Sequence, residues 1–239
     1  MLQELREAFN REFTPERYRR LGALLQDRSG CPVEFRIAET PVFVEGSLIE
    51  EMAAEGGLLA HDLLAAPEYL AAARGAIPKG YRVAHETAHP HFLTADFALV
   101  RDGAGQLTPR LVEIQAFPSV FAFQALLCSA YREVFDLPAG LGTFLGGLDE
   151  ASYWRIFAKT VLGSHDPENV VLTEVDPAHQ KTLPDFNLTA QRLGISVVDI
   201  ASLHAVGQKL HYRNAAGVLV PIHRIYNRAI ADELIARKI

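Results

Sequence analysis

The sequence predicts a mixed α/β fold of the α+β kind, and three observations lead to this prediction. Residues 15–28 place apolar side chains on one stripe of a helix. Residues 92–124 contain two apolar, strand-like runs around a Gly-rich turn. Residues 170–200 alternate strand, helix and strand, which predicts a parallel, right-handed βαβ unit.

Length and composition set the broad class of the protein. The chain has 239 residues, of which 49% are apolar and 22% charged, so it has ample material for a core and is not a disordered protein. A net charge of −6 makes nucleic acid an unexpected partner. No stretch is apolar for the roughly 18 residues that a membrane span needs, and the N-terminus lacks the apolar segment of a signal peptide. The sequence therefore predicts a cytoplasmic protein without a membrane partner, in which Cys31 and Cys128 are free thiols.

The N-terminal third, residues 1–91, is predicted to be mainly helical. The first helix, residues 15–28, carries an apolar stripe and ends at Gly30. Residues 33–44 alternate apolar and polar side chains, which predicts a half-buried strand broken at Pro41. Ser47 is a suitable N-cap for helical sequence that runs to residue 76, with interruptions at residues 56–57 and at Pro67. The stripe consists of Tyr18, Leu21, Leu24 and Leu25.

The remaining chain divides into two further predicted regions. Residues 92–147 comprise the hairpin, a helix opened by Pro118 and Ser119 that ends near Phe135, and a Gly-rich loop. Residues 148–239 begin with a helix near 149–162 and continue with the βαβ unit. A second hairpin is expected from runs 210–213 and 218–225, and a last helix at 229–238.

Acidic side chains inside the apolar hairpin are the most informative chemical feature. Glu113 and Gln115 are two residues apart on a strand and therefore project to the same face. With the turn centred on residues 103–105, Asp96 falls opposite Glu113. Two facing carboxylates are destabilising unless a cation, a proton or solvent compensates them, and carboxylates with an amide oxygen are ligands that Mg²⁺ accepts. The alternative is an exposed edge hairpin that carries acids for solubility.

The hairpin and its surroundings resemble a known family. The order of an Asp in DFAL, then LVEIQAFPS, a βαβ unit and RIYNR resembles glutathionylspermidine synthase-like proteins, which are circularly permuted ATP-grasp ligases. The resemblance covers about residues 92–228. It implies that Asp96, Glu113 and Gln115 hold the Mg²⁺ that bridges ATP phosphates, with Gln115 where the family has Asn. The family's Arg just before the Asp corresponds to Thr94.

The resemblance also implies an activity and a domain type. The activity is Mg²⁺- and ATP-dependent joining of a small-molecule carboxylate to an amine through an acyl phosphate. The hairpin would belong to a partial ATP-grasp fold, and the βαβ unit would be a Rossmann-like pre-ATP-grasp domain. The family's nucleotide-binding Lys and Gly-rich lid lie downstream of the metal strands. We therefore expect the chain to be the N-terminal part of a longer ligase, inactive by itself. By residue type, the expected substrate-binding side chains are Arg36, Lys181, Arg224, Asn227 and Arg228.

Other patterns leave alternatives open. One alternative is a non-catalytic α/β module that binds a small anion, for which the Arg224 and Arg228 pair is a candidate clamp. These arginines equally suit ion pairs with Asp232 or Glu233. The loop at residues 176–182 follows a strand of the βαβ unit and is either a ligand site or an ordinary polar loop. A zinc hydrolase could use His85, His89 and His91. The glycines at residues 140–147 indicate a helix connector rather than a phosphate loop.

Overall fold

A computed structural model describes residues 2–84, 87 and 89–239 and divides the chain into two compact units. The first, called here the hairpin unit, contains the residues up to Glu7 and Pro41–Pro118. The second, the sheet unit, contains Ala8–Thr40 and Ser119–Ile239. This division differs from the three regions predicted with boundaries at residues 91 and 147, because the hairpin groups with residues 41–91 and the helix after it groups with the C-terminal part.

The chain is a mixture of helices and small sheets, as the sequence predicts. In the described residues the helices are α1 (Gln3–Glu12), α2 (Pro15–Ser29), α3 (Gly46–Ala65), α4 (Pro67–Ala76), α5 (Phe121–Phe135), α6 (Glu150–Leu162), α7 (Leu183–Leu193) and α8 (Ala231–Arg237). The strands are β1 (Thr94–Arg101), β2 (Leu107–Gln115), β3 (Val170–Glu174), β4 (Ser196–Asp199), β5 (His204–Val206), β6 (Lys209–Arg213), β7 (Leu219–Pro221) and β8 (Arg224–Asn227). Among the described helices, none has the length and apolar character needed to cross a membrane.

The hairpin unit is built on the antiparallel pair of β1 and β2, which confirms the predicted hairpin. The turn is held by Asp102, whose side chain accepts hydrogen bonds from the backbone N–H groups of Ala104 and Gln106, both at 2.9 Å. Helix α3 packs against one face of the hairpin through Gly56. A Cβ atom at this position would lie 2.9 Å from the Cβ of Ala95, so only glycine permits the close approach.

Helix α3 differs from its prediction in two ways. It begins at Gly46, and its N-cap is Glu45 rather than Ser47. It also continues through residues 56–57, because Gly56 serves packing against β1 and does not break the helix. Pro67 does interrupt the helical sequence, since it begins α4.

The core of the sheet unit is a parallel sheet in the order β4-β3-β8. Every residue of the central strand β3 is buried, and β3, α7 and β4 form the predicted βαβ unit. Strand β8 runs parallel to β3 on its other side, with Val171 beside Ile225. Parallel strands covered on both faces need continuous apolar side chains, and the sequence VVLTE of β3 is consistent with this requirement apart from its last residues.

The second predicted hairpin forms differently from the expectation. Strands β5, β6 and β7 make a separate antiparallel sheet, and β7 ends at Pro221. The run 218–225 is therefore split, because its end becomes β8 in the parallel sheet. Asn169 fixes the change of direction: its side chain donates to the carbonyl of Pro221 at 2.9 Å, and its carbonyl accepts from the N–H of His223 at 2.8 Å.

Helices α2, α5 and α7 pack together in the sheet unit. On α2, Leu21 and Leu25 of the predicted stripe are fully buried. The strand predicted at 33–44 is not formed. Two backbone carbonyls of this segment bind tyrosine hydroxyls instead of a neighbouring strand: Tyr18 donates to Ile37 at 2.6 Å, and Tyr131 donates to Ala38. The prediction was wrong because alternation alone supplies no pairing partner.

Candidate functional site

The predicted metal-binding residues lie together on one face of the hairpin. Asp96 is paired with Glu113 and Thr94 with Gln115, so all four side chains project to the same side. The amide nitrogen of Gln115 donates a hydrogen bond to Oδ2 of Asp96 at 3.3 Å and another to Oε1 of Glu113. Helix α3 packs against the opposite face, which carries Ala95. Asp96, Glu113 and Gln115 therefore form one surface, called here the acidic face.

Two carboxylates and one side-chain amide determine the electrostatics of the acidic face. Two carboxylates directly opposite each other repel, and the two N–H groups of the Gln115 amide supply the positive ends of dipoles that offset this repulsion. Rotation of that amide by half a turn would present its oxygen beside the two carboxylates. In the described part of the chain, no cluster of three or more His, Cys, Asp or Glu side chains has metal-binding geometry. The two carboxylates and the amide of the acidic face could hold Mg²⁺, which binds few protein ligands and retains waters or phosphate oxygens.

A β-bulge adds an unexpected residue to the acidic face. Asp96 pairs with Glu113, but the next residue, Phe97, pairs with Leu111, so Val112 is the extra residue of β2. The bulge reverses the alternation of side chains along β2. Arg110 pairs with Ala98, which is two residues from Asp96 and projects to the same side, so Arg110 also projects to the acidic face. Its Cα lies roughly 7 Å along the strand from the Asp96 pair. Regular alternation places Arg110 on the other face, so a sequence pattern without the bulge could not identify it.

Three of the predicted substrate-binding residues lie apart from one another. Arg36 is 86% exposed and lies 3.7 Å from Glu39. Lys181 is exposed in the loop between β3 and α7. Arg224 begins β8, donates to the carbonyl of Thr160 at 2.8 Å, and packs against Gly163. No described hydrogen bond or ion pair joins these three cations to each other or to a common group.

The other two predicted residues have structural hydrogen bonds. Nη1 of Arg228 lies 3.3 Å from Oδ2 of Asp185, and both side chains are almost completely buried. The Arg228 guanidinium also lies 5.2 Å from the centre of the Phe186 ring. Asn227 accepts from the Thr173 hydroxyl at 3.2 Å and donates to the carbonyl of Ala229 at 2.8 Å. These contacts fix the end of β8.

The proposed arginine clamp is not formed. Arg224 and Arg228 lie at opposite ends of strand β8, roughly 13 Å apart along an extended chain. Residues four apart are neighbours on a helix, but a strand separates them. Arg228 forms an ion pair with Asp185, and Glu233 forms one with Arg237 at 3.4 Å. The alternative pairing of the arginines with Asp232 or Glu233 stays a prediction.

The carboxyl end of the parallel sheet, where ligands of such sheets bind, presents acids. Glu174 ends the central strand, is 6% exposed, and accepts a hydrogen bond from the N–H of Val175 at 2.8 Å. Burial raises the pKa of Glu174, and this hydrogen bond and the charge of Arg228 oppose the rise. In the loop that follows, Asp176 lies 2.7 Å from Nδ1 of His179 and raises the pKa of that exposed imidazole. Sequence reasoning identified this loop but not its acidic character.

The histidine cluster is described in part. His85 lies outside the described residues, so the predicted zinc triad with His89 and His91 stays a prediction. Nδ1 of His89 lies 3.4 Å from the carbonyl oxygen of Pro90. The glycines at 140–147 lie in the irregular segment that joins α5 to α6, as expected for a connector.

The comparisons with known proteins give no relative: no family model matches the chain, and neither a curated protein nor a solved structure shows significant similarity to it. The function of the chain is therefore inferred from the residues of the acidic face and their geometry.

Proposed function

We propose that the acidic face binds Mg²⁺ together with the phosphates of ATP, and that the chain supplies this metal site to a carboxylate–amine ligase of the ATP-grasp kind. The observation that carries the proposal is the direct pairing of Asp96 with Glu113 next to Gln115, which hydrogen-bonds to both. Such a pair costs stability unless opposite charge, a proton or hydrogen-bond donors compensate it, and a divalent cation would compensate it more strongly than the Gln115 amide does. The parallel β3-α7-β4 unit supports the further proposal that the sheet unit corresponds to a pre-ATP-grasp domain.

The residues of the acidic face would have different roles in binding the metal. Asp96 and Glu113 provide the negative charge that holds the cation, and Gln115 provides a neutral oxygen donor after its amide turns. Bound Mg²⁺ would neutralise charge on the β- and γ-phosphates and orient the terminal phosphoryl group. The carboxylates also limit where ATP phosphates can lie, because phosphate oxygens without a metal between them would be repelled.

Arg110 supplies a positive charge on the same face. The family's Arg before the Asp corresponds here to Thr94, a neutral residue paired with Gln115. The bulge brings Arg110 to the face from the opposite strand, and a guanidinium is well suited to bind phosphate oxygens through two parallel hydrogen bonds. We therefore infer that Arg110 performs the phosphate-binding role that Thr94 cannot.

The alternative of a small-anion module built on the five predicted substrate-binding residues has weaker support. Arg228 and Asn227 bind protein groups, Arg224 lies at the other end of β8, and Arg36 and Lys181 lie on separate loops. The carboxyl end of the parallel sheet also presents Glu174 and Asp176, which would repel an anion.

Calorimetric titration of ATP with and without Mg²⁺ tests the proposal. We expect ATP to bind weakly, since the family's other nucleotide ligands lie downstream, and to release heat only when Mg²⁺ is present; Glu113→Gln should abolish this heat. Arg110→Gln should weaken MgATP binding by about tenfold, the effect of one charge-assisted hydrogen bond, and should leave binding of Mg²⁺ alone unchanged. Glu51→Gln, on the exposed surface of α3, is the control and should bind as the wild type does. Equal MgATP binding by wild type and Glu113→Gln would refute the proposal.

A further inference from the structure

Two histidines of the sheet unit lie next to each other, apart from the acidic face and from the predicted zinc triad. The ring centres of His165 and His223 are 5.8 Å apart, and the ring planes are inclined by 59°. His165 lies between α6 and β3, and His223 lies between β7 and β8. His223 is exposed and His165 is half-buried, so solutes can reach the pair. Among the described residues, no side-chain hydrogen bond or ion pair occupies either imidazole.

The backbone at both histidines is held in place by hydrogen bonds. The N–H of His165 donates to the carbonyl of Leu162 at 3.1 Å, directly after helix α6. The N–H of His223 donates to the carbonyl of Asn169 at 2.8 Å, and the Asn169 side chain donates to the carbonyl of Pro221 at 2.9 Å. A ligand that binds both rings therefore has to fix only side-chain rotations, and such preorganisation favours binding.

Arg224 ties the segment that carries His223 to the end of α6. Its Nη2 donates to the carbonyl of Thr160 at 2.8 Å. Its Nη1 lies close to Gly163, where an added Cβ atom would be only 3.1 Å away. Gly163 has a positive φ of 61° and precedes His165 by two residues. The fold therefore sets the distance between the two chain segments that carry the histidines.

The separation of the two rings suits a metal ion bound by one nitrogen of each. A metal about 2 Å from each nitrogen in tetrahedral geometry places the two ring centres roughly 5–6 Å apart. Imidazole nitrogens bind Zn²⁺, Cu²⁺ and Ni²⁺ well, whereas Mg²⁺ prefers oxygen ligands. Two imidazoles leave the remaining coordination positions to water.

We propose that His165 and His223 bind one Zn²⁺ ion, with water in the remaining positions. The ion would connect the end of α6 to the start of β8. It would stabilise the sheet unit, because a ligand that binds only the folded state shifts the folding equilibrium towards that state. The site uses nitrogen ligands and lies in the sheet unit, whereas the acidic face uses oxygen ligands of the hairpin unit. The proposal therefore does not depend on the metal-binding function of the acidic face.

Calorimetric titration with Zn²⁺ tests the proposal. The wild type should show saturable binding, and His165→Ala and His223→Ala should each weaken it at least about tenfold through the loss of one ligand. His204→Ala, which removes an exposed histidine on β5, is the matched control and should bind as the wild type does. Zn²⁺ should raise the thermal unfolding midpoint of the wild type and of this control, but not of the other two variants. Circular dichroism verifies that the variants are folded.

Two further comparisons separate this site from the other candidate metal sites. The predicted triad could bind Zn²⁺ itself, so the titration is repeated in a protein with His89→Ala and His91→Ala. Saturable binding should persist there and should be lost when His223→Ala is added. Glu113→Gln, which alters the acidic face, should leave Zn²⁺ binding unchanged. Equal Zn²⁺ affinity with and without His223→Ala would overturn the proposal, and so would the loss of all binding in the protein with His89→Ala and His91→Ala.

Discussion

Asp185 on helix α7 links the start of helix α5 to the end of strand β8 through Arg228. Its Oδ2 lies 3.3 Å from Nη1 of Arg228, and its Oδ1 accepts a hydrogen bond from the backbone N–H of Phe123 at 2.9 Å. Helix α5 needs this contact, because its N-cap residue, Val120, has no side chain that can cap the helix and adopts a left-handed conformation with φ of 49°. The carboxylate of Asp185 on α7 thus caps α5 in place of its own N-cap residue, and the same carboxylate forms the buried ion pair with Arg228.

Removal of Asp185 should destabilise the sheet unit strongly. In Asp185→Ala, Arg228 remains buried without its anionic partner and α5 loses its cap, so we expect the free energy of unfolding to fall by about 3–5 kcal/mol. Urea denaturation measures this change. The double variant Asp185→Leu with Arg228→Met removes both charges of this pair and should be more stable than Asp185→Leu alone. A loss below about 1 kcal/mol in Asp185→Ala would contradict a capping role.

Adjacent glycines on α3 should respond to alanine in opposite directions. At Gly56 a Cβ atom would lie 2.9 Å from the Cβ of Ala95, whereas at Gly57 no heavy atom lies within 4 Å of it. Gly57→Ala should raise the free energy of unfolding by about 0.5–1 kcal/mol through helix propensity. Gly56→Ala should lower it by roughly 1–3 kcal/mol because the helix and hairpin must separate. Thermal unfolding of the two variants measures both effects, and a stabilised Gly56→Ala would show that α3 does not pack closely on β1.

Much of this architecture could be predicted from the sequence because it depends on local patterns. The stripe of α2, the acidic hairpin and the βαβ unit all follow from side-chain periodicity. The pairs that depend on tertiary structure could not be predicted. Asp185 and Arg228 are 43 residues apart and neither has a distinctive neighbour in sequence. The bulge at Val112 also leaves no mark in the sequence pattern, and regular alternation places Arg110 on the face opposite to the one it occupies.

Neutralising Asp96 should stabilise the protein in the absence of divalent cations. Asp96→Asn removes the repulsion from Glu113 and retains the shape of the side chain, so we expect a gain of about 0.2–1 kcal/mol in the free energy of unfolding in the presence of a chelator. With excess Mg²⁺ the order should reverse, because only the wild type gains stability from binding. Asp62→Asn, exposed on α3, is the control and should change neither value. A destabilised Asp96→Asn in chelator would show that the carboxylate serves the fold.

Glu174 should make stability depend on pH. Burial raises its pKa in the folded protein above the ordinary value, so the folded state holds this proton more tightly than the unfolded state does. The contribution of Glu174 to stability therefore falls as the pH rises from its ordinary pKa through the raised one. Glu174→Gln cannot ionise and should exceed the wild type in stability by more at about pH 7 than at about pH 4. Urea midpoints at the two pH values measure the difference, and a constant difference would refute the raised pKa.

Binding of Mn²⁺ to the acidic face is the most direct test of the proposed metal site. In a ¹H–¹⁵N correlation spectrum, sub-stoichiometric Mn²⁺ should broaden the resonances of Asp96, Glu113 and Gln115 first, and added Mg²⁺ should restore them by competition. In Glu113→Gln the same Mn²⁺ concentration should leave these resonances sharp. Broadening that begins elsewhere in the chain, or that is unchanged by Glu113→Gln, would show that the acidic face does not bind a divalent cation.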